Sequence, residues 1–283
     1  MHHPCIIFIN FITITTTLIY LTIFPVLCIM PLYLASINSG SNGNCYYIGN
    51  ETEAVLIDAG ISCRETEHRM ARLGLNIKKV RAIFITHEHT DHTRGVEVLS
   101  RKHGIIVYIT AATHRSSRLM LSPELYRNFS SGDLVGIGDL KVFPFPKQHD
   151  ACEPHSFTVS YGGVTAGVFT DIGSGCEHVL HHFAQCNAAF LEANYDEKML
   201  ENGRYPLHLK RRIRSLKGHL SNGQALEIFT RHRSPQMKLL LLSHLSAENN
   251  HPQLAYNVFH AHANGTKIVV ASRHVESEVY MIS

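Results

Sequence analysis

The apolar run Ala82-Ile83-Phe84-Ile85 leads straight into Thr86-His87-Glu88-His89-Thr90-Asp91-His92, and no other segment constrains the chain as much. The apolar run reads as a buried strand, so three imidazoles and a carboxylate leave a single strand end within six positions. Neutral imidazole and carboxylate are the usual ligands of zinc and similar divalent metals. Four such groups this close cannot all turn towards one ion with good geometry. The spacing therefore suggests a split, with His87 and His89 on one metal and Asp91 and His92 on a second. A fold that uses this motif must bring further ligands to the same place from distant parts of the chain.

Four other positions repeat the pattern of an apolar strand followed by a polar ligand. Ala54-Val55-Leu56-Ile57 leads to Asp58, Phe143-Pro144-Phe145-Pro146-Lys147-Gln148 to His149, Val168-Phe169-Thr170 to Asp171, and Leu239-Leu240-Leu241-Leu242-Ser243 to His244. Taken alone, an Asp after a strand usually starts a turn. Taken with the motif, His149 can complete three nitrogens on the first metal. His244 can join Asp91 and His92 on the second, and Asp171 can bridge the two. Asp58 is better placed behind the ligands, as an acceptor that orients a ligand histidine.

The chain has 283 residues and a formal net charge of only +3, a balance that neither demands nor excludes nucleic acid. Its length supports one sizeable core. Its seven cysteines are scattered and form no C-x-x-C pair, which argues against a disulfide framework and fits a reducing, cytoplasmic setting. Of the 21 histidines, His178, His181 and His182 fall in a helix-like segment and are expected to face solvent, as are His2, His3, His260 and His262. From Cys5 to Met30 no residue is charged. This run is long enough to span a bilayer, but its threonines and lack of a basic flank weaken it as an anchor or signal. Residues 1–29 are read as an extension ahead of a true start at Met30; a membrane anchor and an unusual signal are the alternatives. Residues 30–283 are read as one domain of two mixed sheets with helices on both outer faces. Expected strands include Leu32–Ser36, Cys45–Ile48, Ile105–Ile109 and Lys238–Leu242. Gly162-Gly163 is expected to turn a hairpin. Expected helices include Thr93–His103, Ala112–Leu121, Asn222–Arg231 with Ser221 as N-cap, and Gln253–His262.

With its motifs at Asp58, His87 to His92, His149, Asp171 and His244, the sequence resembles the metallo-β-lactamase superfamily. More narrowly it is similar to the YycJ (WalJ) branch. The matching stretches are Ser39-Gly40-Ser41-Asn42-Gly43-Asn44, Phe145-Pro146-Lys147-Gln148-His149-Asp150-Ala151, Phe169-Thr170-Asp171-Ile172-Gly173, Glu192-Ala193-Asn194-Tyr195-Asp196, Gly203-Arg204-Tyr205-Pro206, Gly218-His219-Leu220-Ser221-Asn222, and Leu242 through Asn250. The resemblance implies a four-layer αββα sandwich, a dinuclear site at one edge and hydrolysis. For this branch it implies a 5′-to-3′ exonuclease acting on DNA.

Three features bear on the substrate. Asp171 as a bridging ligand is the pattern of the phosphodiesterase and thioesterase members. His219 is not needed for coordination, and nuclease branches place a histidine there to contact the scissile phosphate or protonate the leaving oxygen. The basic run Lys210, Arg211, Arg212 and Arg214 leads into His219 and reads as a phosphate-backbone track. The expected chemistry is two-metal hydrolysis with zinc or manganese, Asp91 or Asp171 orienting the nucleophile and His219 serving the departing group. A thioester or lactone hydrolase with the same metals is the alternative. A non-catalytic metal-stabilised binding protein ranks last.

Overall fold

The computed structural model describes residues 30–283, so the readings of residues 1–29, His2 and His3 among them, lie outside the described residues. Two seven-stranded sheets make up the centre. The first holds β1 (Leu32–Asn38), β2 (Cys45–Gly49), β3 (Ala54–Ile57), β4 (Val80–Phe84), β5 (Ile106–Tyr108) and β6 (Tyr126–Arg127) in chain order. The second holds β7 (Val135–Ile137), β8 (Leu140–Pro146), β9 (His155–Tyr161), β10 (Val164–Phe169), β11 (Ala188–Glu192), β12 (Leu239–Ser243) and β13 (Lys267–Val270). The chain then returns to the first sheet, where β14 (Tyr280–Ile282) pairs antiparallel with β1.

Each sheet starts antiparallel and becomes parallel: β3 to β6 in the first, β10 to β13 in the second. Parallel strands covered on both faces read as unbroken apolar runs. Leu239–Leu242 is such a run, fully buried along β12. Alternate residues then feed different cores. In β3, Val55 and Ile57 join the core between the sheets with Tyr46, Phe84, Phe157, Val168 and Phe190. Ala54 and Leu56 face the other way, into a core shared with Met70 of α1 (Cys63–Arg72). Helices α2 (Thr90–Thr93), α3 (Val96–His103) and α4 (Ala111–Ser117) follow on the first half. On the second half are α5 (Glu177–Phe183), α6 (Glu197–Asn202), α7 (Leu207–Arg214), α8 (Asn222–His232) and α9 (Pro252–His260). Val179 and Phe183 of α5, Phe229 of α8 and Phe259 of α9 pack on the outer face of the second sheet. The architecture is the expected αββα sandwich.

Local signals explain the agreement. Gly162 and Gly163 both have positive φ, 57° and 84°, and join β9 to β10 as a primed hairpin turn requires. Ser221 caps α8 in a box with Gln224. The differences also have causes. The helix expected from Thr93 is divided, because the Gly95 amide donates to the Ala59 carbonyl at 2.8 Å and the Asp91 carbonyl accepts from Asn44 instead; only glycine fits there, since a Cβ would lie 2.0 Å from the Ile61 carbonyl oxygen. The helix expected to reach Leu121 stops at Ser117, since Arg118 is left-handed (φ 58°). His182 does not face solvent: it stacks on Phe145 with ring centroids 4.1 Å apart, and burial pushes its pKa down to about 4. His178, His181, His260 and His262 are exposed, as expected.

Candidate metal centre

The strands β3, β4, β8, β10, β11 and β12 all end at one edge of the seam between the sheets. Asp58, Asp171 and His244 follow β3, β10 and β12, and all three adopt left-handed backbone, with φ of 61°, 53° and 55°. That conformation costs an L-residue roughly 1–2 kcal/mol, and such outliers cluster at functional sites. Gly60 is required nearby, because a Cβ there would fall 1.6 Å from the Asp91 carbonyl oxygen. That oxygen also accepts from Asn44 N at 2.7 Å. The loop Ser39–Asn44 and the turn α2 are thereby locked together.

The structure brings His87, His89 and His149 into one group, and Asp91, His92 and His244 into a second, each with ligand atoms within 4.8 Å of one another. Asp171 stands between: its Oδ2 lies 3.0 Å from His92 Nε2, and its Oδ1 lies 3.8 Å from His149 Nε2 and 3.4 Å from His244 Nδ1. Hydrogen bonds behind the imidazoles decide which nitrogen is free. His149 Nδ1 donates to the Gly218 carbonyl at 3.1 Å, His244 Nδ1 to Glu192 Oε1 at 2.9 Å, and His92 Nδ1 to Asp58 Oδ2 at 2.6 Å. A carbonyl or carboxylate only accepts, so the proton sits on Nδ1 and Nε2 keeps its lone pair. Asp58 reaches a second histidine through Thr86, whose Oγ1 donates to Asp58 Oδ2 at 2.8 Å and lies 2.8 Å from His87 Nδ1. Of the nine buried side-chain atoms without a hydrogen-bond partner among the described residues, three belong to the ligand groups: His149 Nε2, His244 Nε2 and Asp171 Oδ2, the last with only its ring-nitrogen contact to His92. Unpaired buried polar atoms are costly. These three are ligand atoms of the right chemistry for a divalent cation, so the residues fit the metal.

The electrostatics separate the two groups: the first is neutral, whereas the carboxylates around His92 and His244 favour a second proton that an arriving cation must displace from Nε2. Burial holds His87 well below its ordinary pKa, lowers His89 and takes His149 to about 3, so all three are neutral and ready to coordinate. His92 and His244 are buried too, but the carboxylates around them outweigh burial. Asp58, Asp171 and Asp91 raise His92, while Asp171, Asp91 and Glu192 take His244 to about 10. Burial opposes the ionisation of Asp171, yet the neighbouring imidazoles hold its pKa well below the usual carboxylate range. The same contest takes Glu192 to about 2, with His219 as the main opposing influence.

His219 is half-buried, 2.8 Å from Glu192 Oε1 and 3.6 Å from Asp171 Oδ1 through Nδ1. It lines a cleft of about 240 Å³ over the ligand groups. The basic run lies in the second half of α7, and α7 walls the cleft with Leu209, Arg212 and Ile213. Its charges are partly engaged by the protein. Arg212 Nε pairs with Asp150 at 2.8 Å, Arg214 pairs with Glu201, and Lys210 Nζ donates to the Glu201 carbonyl at 2.6 Å. Arg211 is exposed and has no ion pair among the described residues.

Glu192 received no role from the sequence. It is fully buried and accepts four hydrogen bonds, from His219 and His244 through Oε1 and from the Ile172 and Leu220 amides through Oε2. The signal was present, since Glu192 ends the apolar run Ala188-Ala189-Phe190-Leu191 as the other site residues end theirs. Asn44 was missed as well; its Nδ2 lies 3.1 Å from His92 Nε2 and 3.3 Å from Asp91 Oδ2. Lys147 is a buried cation whose Nζ donates to the Thr170 carbonyl at 2.7 Å, just before Asp171.

Residues 39–119 match the model of the metallo-beta-lactamase superfamily. The exodeoxyribonuclease YycJ of Bacillus anthracis is 35% identical over 229 residues, covering 80% of this chain and 87% of that protein. The exodeoxyribonuclease WalJ of Streptococcus pneumoniae is 32% identical, covering 77% of this chain and 83% of that protein. Among solved structures, the metallo-beta-lactamase fold protein YhfI from Bacillus subtilis superimposes with a TM-score of 0.68 at 16% identity, over 89% of this chain and 100% of that chain, a likeness of fold.

Proposed function

Since the chain belongs to the metallo-β-lactamase superfamily, in its YycJ (WalJ)-like branch, we propose that it is a metal-dependent exodeoxyribonuclease that works from 5′ to 3′ with two divalent ions, zinc or manganese. The observation that carries the reading is the set of three unpartnered buried ligand atoms lying under a cleft that His219 lines. His87, His89 and His149 would hold one ion, Asp91, His92 and His244 the other, and Asp171 both. Bound there, the ions would supply Lewis-acid chemistry, activating water and polarising the phosphoryl group. Asp91 and Asp171 orient the attacking water. His219, its Nδ1 held by Glu192, presents its remaining ring nitrogen to the leaving oxygen and gives it a proton.

The test is incubation of the metal-loaded protein with end-labelled DNA, comparing 5′-phosphate with 5′-hydroxyl ends; mononucleotide release is expected, and intact DNA beside rapid thioester or lactone hydrolysis would reverse the assignment. That alternative has one observation on its side, the internal pairing of Arg212 with Asp150 and of Arg214 with Glu201. Metal analysis of the loaded protein is expected to give about two equivalents, the rule for two-metal hydrolysis; one equivalent would remove the dinuclear reading. Neutralising Lys210, Arg211, Arg212 and Arg214 together should flatten the salt dependence of DNA binding by about 0.7–0.9 in log–log slope for each phosphate that no longer meets a cation. An unchanged slope with intact metals would place the strand elsewhere.

Among the described residues no helix is long and apolar enough to cross a membrane. We place the protein in the cytoplasm, on the scattered cysteines and a DNA substrate.

A further inference from the structure

A second cleft, of about 340 Å³, opens beside the metal centre along the carboxyl ends of β12 and β13. It shares Ser246 with the catalytic cleft and begins at Leu245, the residue after His244. No carboxylate lines it. The nearest acids in sequence are committed elsewhere, Glu248 to Arg204 and Glu276 to Arg72. Its cation is Arg273, half-buried and without an ion pair among the described residues. The main chain holds this arginine in place: its carbonyl accepts from Asn42 Nδ2 at 2.9 Å, and Ser39 N donates to the Ser272 carbonyl at 3.1 Å. Its guanidinium makes a single long hydrogen bond, from Nη2 to the Leu245 carbonyl at 3.3 Å, which leaves most of its five donors unused. Gly40 makes room for it, because a Cβ there would come within 2.8 Å of Nη2. A partly desolvated arginine with free donors in a cleft without acids has the chemistry that binds phosphate. It differs from Arg212 and Arg214, whose charges are already paired.

We propose that this cleft receives the nucleotide adjoining the scissile bond on the retained strand, and that Arg273 binds the phosphate on its 3′ side, one step beyond the scissile phosphate. This rests on the nuclease reading. The terminal nucleotide would lie in the catalytic cleft, and Ser246, which lines both clefts, marks the passage from one to the next. Arg273 is a positioning residue; the ligand set and His219 are separate from it.

The experiment compares manganese-loaded wild type, Arg273→Gln and Arg273→Lys on a 5′-phosphorylated single-stranded oligonucleotide at several salt concentrations, with bis(p-nitrophenyl) phosphate as a substrate too short to reach the cleft. Arg273→Gln is expected to raise KM for the oligonucleotide about tenfold or more, the usual cost of removing a charge-assisted hydrogen bond, with kcat largely retained. The log–log salt slope should fall by about 0.7, the share of one single-strand phosphate, and Arg273→Lys should restore most of it. Kinetics on the small diester should not change. Equal losses on both substrates would reduce Arg273 to a structural prop of the Leu245 carbonyl and overturn the proposal. So would wild-type KM and slope in Arg273→Gln while the wild type degrades the oligonucleotide; in that case the nuclease reading stands. A wild type that hydrolyses the small diester but leaves the oligonucleotide intact would overturn both.

Discussion

His219→Ala should keep both metal equivalents and lose about 10²–10⁴-fold in turnover, the usual contribution of a positioned general acid. His219 also stands within ligand distance of Asp171, Glu192 and His244, but the groups around His87 and Asp91 are complete without it, and its Nδ1 is already given to Glu192 at 2.8 Å. The loss should fall on kcat, and it should shrink for substrates with an activated leaving group such as p-nitrophenolate, which needs no proton to depart. Metal analysis and steady-state kinetics on one preparation check this. If metal content falls together with activity, His219 belongs to the coordination set and its assignment as the acid is wrong.

Glu192→Gln should cost about ten- to hundredfold in metal affinity or activity, the usual effect of removing the partner that orients a ligand histidine. The carboxylate accepts from two imidazoles and two amides at once. An amide must turn an NH₂ towards either the imidazoles or the backbone donors, and both are donors already. Against His244 the clash favours the other tautomer, which puts the proton on Nε2, where the metal should be. The variant should therefore need more metal to reach half-maximal activity, which a titration with manganese or zinc would show. An unchanged titration midpoint would mean that His244 keeps its tautomer by other means, Asp171 Oδ1 at 3.4 Å from Nδ1 being the remaining acceptor.

How much of this was legible in the sequence depended on distance along the chain. Residues whose role follows from a neighbouring strand end could be read directly: Asp58, His87 to His92, His149, Asp171 and His244 each close an apolar run. The two sheets were legible because Leu239–Leu242 and Ala54–Ile57 are too apolar to lie anywhere but inside. Glu192 obeys the same rule, but its role depends on His219 and His244, 27 and 52 residues away, and only folding joins them. β14 is three residues long and gains its strand character from pairing with β1, so its own composition carries little signal. The basic run was legible as charge, while the carboxylates that pair with it, Asp150 and Glu201, come from other elements.

The seam between the sheets has a consequence for the life of the folded chain. His87, His89, Asp91 and His92 hang from the first sheet, and His149, Asp171 and His244 from the second. An ion coordinated from both sides cross-links the two halves of the sandwich, as a rivet holds two plates. By mass action, an ion at a hundred times its dissociation constant adds about 2.7 kcal/mol against unfolding, a sizeable part of the roughly 5–15 kcal/mol that holds a domain together. Metal scarcity would then act on the abundance of the protein as well as on its rate: the halves part more readily along the seam, and the opened chain becomes available to proteases.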